Sequence, residues 1–478
     1  MTLSGARVTA LRYLAEQAAP YLTSHATESR VILLTRVLER VARTQHHKAQ
    51  LRYLRRLIEG NHPSAQLVQR LFHLHPSARR AVINGLGVNA TWLGEVERRR
   101  FAREHGVRPP FLIVISPTMR CNLKCLGCYA GQYPKEADPL SLEVLDRIVS
   151  EGKEMGVYLY TISGGEPFLR EDLLDLYDKH RDCVFQIYTN GTRIDDRVVA
   201  RLQECGNAAP AISLEGGEAE TDARRGRGVY RQIMDTMDRL REAGVLFGFS
   251  ATATRLNVEA YYDEAFYDRM VEKGCYFGWF FLFVPVGQDA NPELMITPQQ
   301  RDRLRQMVYR MRATKPIFVA DFWNDGCLTG GCMSGGTLYM HVNYRGDLEP
   351  CVFMHFAEKN ILDIYREGGH LWDVLSTPLF RRIREVNRRD PNPLRPCPII
   401  DHNEWLEEAL AGTEARPTHP GAEDIVGRLA PHVRAWAQEY GRLADYAWYE
   451  SGQYDWARRK GDPLWTPDEE PAQMATDR

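Results

Sequence analysis

The sequence predicts an α/β protein built on a partial (β/α)6 barrel, with a helical region before it and a small α+β unit after it. Three observations carry this expectation. Between residues 111 and 283, short runs of branched and aromatic residues alternate with stretches of helical period, the pattern of a parallel sheet covered by helices. Each run ends on glycine or small polar residues, which suits the carboxyl ends of barrel strands, where parallel α/β folds place their sites. Six or so such units are too few to close an eightfold barrel.

Residues 1–108 come first. Leu34, Leu38 and Val41, then Leu51, Leu54, Leu57 and Ile58, recur at helical spacing before a break at Gly60-Asn61-His62-Pro63. The chain changes character at Arg108-Pro109-Pro110, and Phe-Leu-Ile-Val-Ile at 111–115 reads as a strand buried on both faces. A helix is expected over 141–156, a strand over 158–162, a helix over 173–180 and a strand over 184–188, with further strands near 211–214, 246–253 and 276–283. The barrel is thereby placed at 109–310. In the next unit, 311–410, apolar stretches at 338–342 and 348–352 flank Asn343-Tyr344-Arg345-Gly346, a hairpin pattern. Residues 411–478 read as a helical extension to about Lys460 and then a tail through Asp468-Glu469-Glu470-Pro471 with no periodicity, expected to be disordered.

The chain has 478 residues, 44% hydrophobic and 26% charged, enough for a large core. Neither an apolar run of about 18 residues nor an export signal is visible, so a cytoplasmic protein with reduced thiols is expected. The net charge of −2 conceals an asymmetry: residues 1–108 hold 18 Lys and Arg against 7 Asp and Glu, a balance of +11, leaving −13 for the rest. Arg52, Arg55 and Arg56 fall within about one helical turn. They suit either the solvated face of a helical bundle packed on the core or a patch for an acidic partner, such as a carrier protein, an anionic membrane surface or a phosphorylated substrate. No nucleic-acid reader motif accompanies them.

The cysteines fall into groups. Cys121, Cys125 and Cys128, spaced C-x3-C-x2-C, can face one soft metal centre from a single loop, and three thiolates leave a four-iron cluster with one iron open to a ligand. Structural zinc would ask for four closed ligands, and the flanking His105 and His180 lack finger-like spacing. Cys327, Cys332, Cys351 and Cys397 make a second set of four, enough for one closed cluster, with zinc or unligated thiols as the plainer alternatives. Cys183, Cys205 and Cys275 lie in or beside barrel elements and read as buried thiols. Asp401-His402, just after Cys397, is a candidate acid/base pair, although such a dipeptide more often caps a helix. The run Ser163-Gly164-Gly165-Glu166-Pro167 permits close backbone approach to a ligand, and Glu166 offers a carboxylate to an amino group.

The cysteine loop after the first strand, followed by Gly-Gly-Glu-Pro, resembles the radical S-adenosylmethionine (radical SAM) superfamily. The resemblance implies a site-differentiated [4Fe-4S] cluster on Cys121, Cys125 and Cys128, completed by the amino and carboxylate groups of SAM, with Gly164, Gly165, Glu166 and Pro167 holding the methionine part. It also carries over Asn190, Ser213, Glu215 and Arg225 as SAM contacts at successive strand ends, beside Asp222, Gly226 and Gly228, with Thr254, Asn257, Pro285 and Gly287 shaping the adenosine pocket. One departure stands out: family members carry an aromatic residue before the third cysteine, where this chain has Gly127, with Tyr129 following it. The stretch Cys327 to Cys397, with Leu371-Trp372-Asp373-Val374-Leu375, resembles SPASM and twitch auxiliary domains, but lacks the later dense cysteine array. One auxiliary [4Fe-4S] cluster is therefore implied. The implied activity is reductive cleavage of SAM to a 5′-deoxyadenosyl radical that takes a hydrogen atom from a peptide, lipid-linked or small-molecule substrate, with an electron donor such as flavodoxin or ferredoxin. Residues 1–108 show no strand-plus-helix pattern of a peptide-leader module. A non-enzymatic iron-sulfur carrier or a zinc-stabilised binding protein is the alternative class.

Overall fold

The computed structural model describes residues 28–41, 45–60, 62–131 and 138–458. The expected C-terminal tail and the start of the basic region lie outside them. Seven parallel strands run in chain order: β1 (Leu112–Ile115), β2 (Leu159–Ile162), β3 (Val184–Thr189), β4 (Ala208–Ser213), β5 (Gly248–Ala253), β6 (Phe277–Leu282) and β7 (Phe318–Asp321). Three more strands, β8 (Tyr339–Val342), β9 (Asp347–Glu349) and β11 (Lys359–Asn360), extend the sheet on the other side of β1, giving the order β11-β9-β8-β1-β2-β3-β4-β5-β6-β7. The short β10 (Phe356–Ala357) and β12 (Arg416–Pro417) pair with each other. Among the described residues no helix is long and apolar enough to cross a membrane.

The sheet does not stop at residue 310. β7 adds to β6, and β8 adds in parallel to β1, with Leu112 opposite Tyr339 and Ile115 opposite Val342. The expected hairpin is present, β8 to β9 through Asn343–Gly346, but it belongs to the barrel sheet and not to a detached unit. Asn343 shapes its turn by accepting from the N–H groups of Arg345 and Asp347. The sheet also curls: the Phe322 ring, just after β7, lies 6.0 Å from the Tyr339 ring on β8, although six other strands separate the two in sheet order.

Alternation along the strands separates two faces. Phe185 of β3 packs on Tyr160 and Tyr177, and Phe280 of β6 on Phe249 and Tyr261, so these residues face the surrounding helices, each fully buried. Their neighbours Gln186, Tyr188, Trp279 and Phe281 point to the lumen and are only half-buried.

The N-terminal helices cap the end of the barrel opposite the cysteine loop. Arg98 donates to Gly156 O before β2, Asn89 to Asp182 O before β3, Ser77 to Gln203 O before β4, and His75 N to Gly244 O before β5. Arg70 reaches furthest, donating to Val271 O and Cys275 O before β6 and to Pro316 O before β7. Gly94 and Gly156 meet so closely that a Cβ on Gly94 would stand 2.5 Å from Gly156 O. Part of the basic excess is turned inward: Arg70 and Arg98 serve barrel carbonyls, and Arg55 pairs with Glu39, with the exposed Arg52 3.8 Å from the same carboxylate. Of the three arginines within one helical turn, Arg55 is half-buried against Glu39, whereas Arg52 and Arg56 are exposed.

Arg70→Met keeps the apolar stem and removes all three donors. The expected outcome is a loss of about 2 kcal/mol, because charged donors to half-buried carbonyls contribute at the upper end of the hydrogen-bond range. Urea denaturation of the parent and variant checks this, and an unchanged midpoint would show that the cap does not depend on Arg70.

Candidate functional site

β1 ends at Ile115 and the chain passes over the sheet into the cysteine loop. The loop and the glycine run are bonded to each other: Gly165 N donates to Thr118 O and Glu166 N to Arg120 O, both at 2.8 Å. Gly164 has φ +104, and a Cβ on Gly165 would lie 2.2 Å from Arg120 O, so backbone meets backbone here with no space for a side chain. The Gly-Gly dipeptide is thus required first by this contact. Pro167 opens the short 3-10 turn that follows.

Glu166 is fully buried, and its carboxylate accepts from Phe168 N–H, the Thr189 hydroxyl at 2.8 Å and Asn190 N–H at 2.8 Å. Three of its roughly four acceptor positions tie the β2 and β3 loops together, leaving about one for a ligand. Burial raises its pKa against the pull of those donors. Asn190 then reaches the cysteine loop, donating to Asn122 Oδ1 at 2.9 Å with Cys121 Sγ at 3.9 Å.

At the end of β4, Ser213 Oγ lies 3.3 Å from Ser250 Oγ, and Glu215 gathers Arg224, Arg225 and Asn257 on a fully buried carboxylate. Arg225 extends from Glu215 to Cys125, with Nη1 3.9 Å from the sulfur. Burial would lower the Arg225 pKa, but the Glu215 charge outweighs it and the guanidinium is held firmly protonated. Asp222 accepts from Gly228 N–H and Tyr230 N–H and so fixes the turn carrying Gly226 and Gly228, while Asn257 closes on Thr254. Gly287, at φ +75, fits under the Tyr129 backbone, whose carbonyl oxygen would stand 2.3 Å from a Cβ. This brings the Pro285-Val286-Gly287 loop against the cysteines.

Two residues at this mouth were not legible as site residues. Gly127 has φ +64, and its missing side-chain space is taken by the Phe283 ring from the end of β6, 2.5 Å from where a Cβ would be. An aromatic ring thus stands where the family places one, delivered from another strand. Tyr129 hydrogen-bonds to Ser163 Oγ at 2.6 Å, accepts from Gly164 N–H, and packs its ring on Phe353. It braces the glycine run and leans toward the second cysteine group. Burial raises the Cys121 and Cys128 pKa values.

In the second group, Cys332, Cys351 and Cys397 line one cavity, together with Tyr339 and Phe353. Tyr339 donates to Cys351 Sγ at 2.8 Å, Ser334 Oγ is 3.2 Å from Cys332 Sγ, and the N–H groups of Phe353 and Ile399 point at Cys351 and Cys397 from 3.4 Å. Burial pushes the Cys351 thiol up to about 12. Cys327 is not among the lining residues. It sits on an adjacent turn with its sulfur 2.9 Å from the Tyr309 hydroxyl, while the preceding Gly326 presses on the Pro393 carbonyl. Among the described residues no three His, Cys, Asp or Glu side chains converge as a single metal ion requires. Cys183, Cys205 and Cys275 are buried in the barrel core as expected.

The expected Asp401-His402 acid/base pair is not formed. Asp401 is buried against Arg301, with Nη1 at 2.5 Å, and accepts from Cys397 N–H, so its carboxylate holds the cysteine turn. His402 stacks on Trp405 and lies 2.9 Å from Asp390. The two side chains serve different elements because each has a closer, charged or aromatic partner.

Comparison with known proteins bears on the family and the fold. The sequence profile of the Radical SAM superfamily matches residues 115–269. The mycofactocin maturase MftC of Mycobacterium ulcerans is 30% identical over 303 residues, covering 59% of this chain and 79% of the relative. An AdoMet-dependent heme synthase of Oleidesulfovibrio alaskensis is 27% identical over 326 residues, covering 61% and 81%. Among solved structures, Streptococcus suis SuiB bound to precursor peptide SuiA shares the fold with a TM-score of 0.51 at 19% identity, covering 63% of this chain and 72% of that one.

Asp401→Ala leaves Arg301 as an unpaired buried charge. The expected cost is about 3–5 kcal/mol of stability, read by thermal or urea unfolding. A variant as stable as the parent but inactive would instead return Asp401 to chemistry.

Proposed function

This chain belongs to the radical SAM superfamily, and from that membership we propose which of its residues carry the chemistry. Bound [4Fe-4S] cluster and SAM together supply one-electron cleavage to a 5′-deoxyadenosyl radical, which abstracts a hydrogen atom from substrate. The observation that carries the reading is the bonded pair of loops at the barrel mouth, with three thiols on one and the glycine run on the other. Cys121, Cys125 and Cys128 hold the cluster. Gly164, Gly165, Glu166 and Pro167 would form the edge that takes the methionine part of SAM, and the remaining acceptor position of Glu166 would be open to its amino group. Arg225, fixed by Glu215 and extended over Cys125, offers its guanidinium to the carboxylate. Asn190 orients the cysteine loop, Ser213 supplies a hydroxyl toward the ribose, and Phe283 supplies the ring beside adenine. The donor set fits the group: soft thiols, a fixed cation and a glycine edge.

Cys332, Cys351 and Cys397, which share one cavity, would hold an auxiliary [4Fe-4S] cluster, with Cys327, bonded to Tyr309 on the adjacent turn, as the fourth ligand. Thiols around a cavity, each met by N–H or O–H donors, support a polynuclear group over a zinc ion, which draws four donors to one point. A small reductant such as flavodoxin or ferredoxin supplies the electron. The barrel, capped at its far end by the N-terminal helices, excludes water from the reacting centre.

Anaerobic reconstitution predicts roughly eight irons per chain, falling to about four in Cys332→Ala/Cys351→Ala. Cys125→Ala should abolish 5′-deoxyadenosine formation under reduction, whereas the auxiliary variant still cleaves SAM but loses substrate turnover. Zinc without iron would sink the reading, and iron without SAM cleavage would favour an electron carrier. Cys327→Ala at full iron content would remove that residue from the ligand set.

A further inference from the structure

The wall around the second cysteine group is apolar, yet it carries more hydrogen-bond donors than neutral thiols use. The cavity shared by Cys332, Cys351 and Cys397 has no charged residue in its lining, much of which is Phe322, Met333, Phe353 and Met354. Three neutral side-chain donors stand in that wall. The Tyr339 hydroxyl, on a ring only 3% exposed, donates to Cys351 Sγ at 2.8 Å. Asn387 Nδ2 donates to Ser334 Oγ at 3.1 Å, which leaves the serine hydrogen for Cys332 Sγ at 3.2 Å. Trp323 is 2% exposed, and its indole N–H has no hydrogen-bond partner among the described residues. The nearby ionisable groups do not line the cavity and are engaged elsewhere: Asp401 with Arg301, and Glu349 with His341, Asn343 and Thr418.

These donors are poorly used beside neutral thiols. A thiol is a weak acceptor, so a buried hydroxyl bonded to one regains little of its lost hydration, and a buried N–H left without an acceptor costs about 1–3 kcal/mol. Against sulfur that carries negative charge the same donors are well placed, because a hydrogen bond to an ionised acceptor is roughly twice as strong. The barrel thiols are served differently. Cys121 meets the Leu123 N–H at 3.5 Å and Asn190 Nδ2 at 3.9 Å, and Cys125 meets Arg225 Nη1 at 3.9 Å. Among the described residues no hydroxyl donates to them.

We propose that Tyr339, Ser334 and Trp323 raise the reduction potential of the auxiliary centre and so poise it to accept an electron. Uptake of one electron by a four-iron group adds one negative charge, spread over its sulfurs, and breaks no bond; donors aimed at those sulfurs favour the reduced state. All three are positioning residues, acting through the sulfur atoms and not on the substrate. The inference rests on the reading of the second cysteine group as a cluster site.

The test is an EPR-monitored redox titration of the anaerobically reconstituted full-length protein, poised with dithionite and mediator dyes. The auxiliary signal is the one retained in Cys125→Ala. Tyr339→Phe and Trp323→Phe each remove one donor and keep an aromatic ring, and Ser334→Ala removes the third. At the potential where the parent's auxiliary centre is half reduced, the ratio of reduced to oxidised centre should fall about tenfold in Tyr339→Phe and about fivefold in each of the others. The barrel signal should titrate as in the parent. An auxiliary midpoint unchanged in Tyr339→Phe and Trp323→Phe at full iron content would overturn the proposal. Loss of the auxiliary iron in both would also overturn it, because the side chains would then be structural ties; where only one variant loses iron, the midpoint of the other decides. A parent protein that holds about four irons, or shows a single signal, would count against the cluster reading of the second cysteine group.

Discussion

The mouth of this barrel depends on one backbone pairing, the parallel addition of β8 to β1. β1 delivers the three-cysteine loop from its end, and β8 turns into the hairpin that leads to Cys351. Because adjacent strands sit about 4.8 Å apart, the two thiol groups are mounted on neighbouring rails of one sheet. The seam is sealed by buried polar contacts: Ser116 Oγ to His341 Nε2 at 2.8 Å, His341 Nδ1 to Glu349 at 2.6 Å, and Glu349 onward to Thr418. These groups have no water to fall back on, so separating the strands would expose each to the full cost of an unmade bond. A fixed relation between the two cysteine groups follows.

The same arrangement explains the division of labour along the barrel. One end is closed by N-terminal helices whose Arg70 and Arg98 satisfy the carbonyls preceding the strands, and the other carries glycines where backbones must cross at close range. Between them the aromatic residues Phe281, Phe322 and Phe353 line a path from the lumen to Tyr339 and Cys351. The ends thus differ: one is tied down by helices, and the other carries the close backbone crossings and the three-cysteine loop.

Much of this was legible in the sequence because the relevant signals are local. Short apolar runs marked β1 to β6 to within a few residues, and the cysteine spacing with Gly-Gly-Glu-Pro marked the mouth. What escaped was set by long-range packing. β7 is short and starts at an exposed Phe318, so no run announced it, and nothing in Leu338–Val342 says that it pairs with β1, 220 or more residues earlier. Phe283 standing in for the residue missing at Gly127 is a contact across the barrel, invisible to spacing. Asp401 read as an acid because its partner Arg301 lies a hundred positions away. The arginines of the N-terminal region gave a charge count, but only the fold assigns Arg70 and Arg98 to barrel carbonyls and Arg55 to Glu39.

The central claim is that one of two iron-sulfur clusters, the one on the barrel loop, has an iron open to SAM. Low-temperature EPR of the anaerobically reconstituted, dithionite-reduced protein, recorded with and without SAM, tests it most directly. The account predicts two four-iron signals, of which the one lost in Cys125→Ala changes its g-values on adding SAM while the other does not move. A spectrum with iron-sulfur signals indifferent to SAM, or no such signal in a protein that carries zinc, would contradict it.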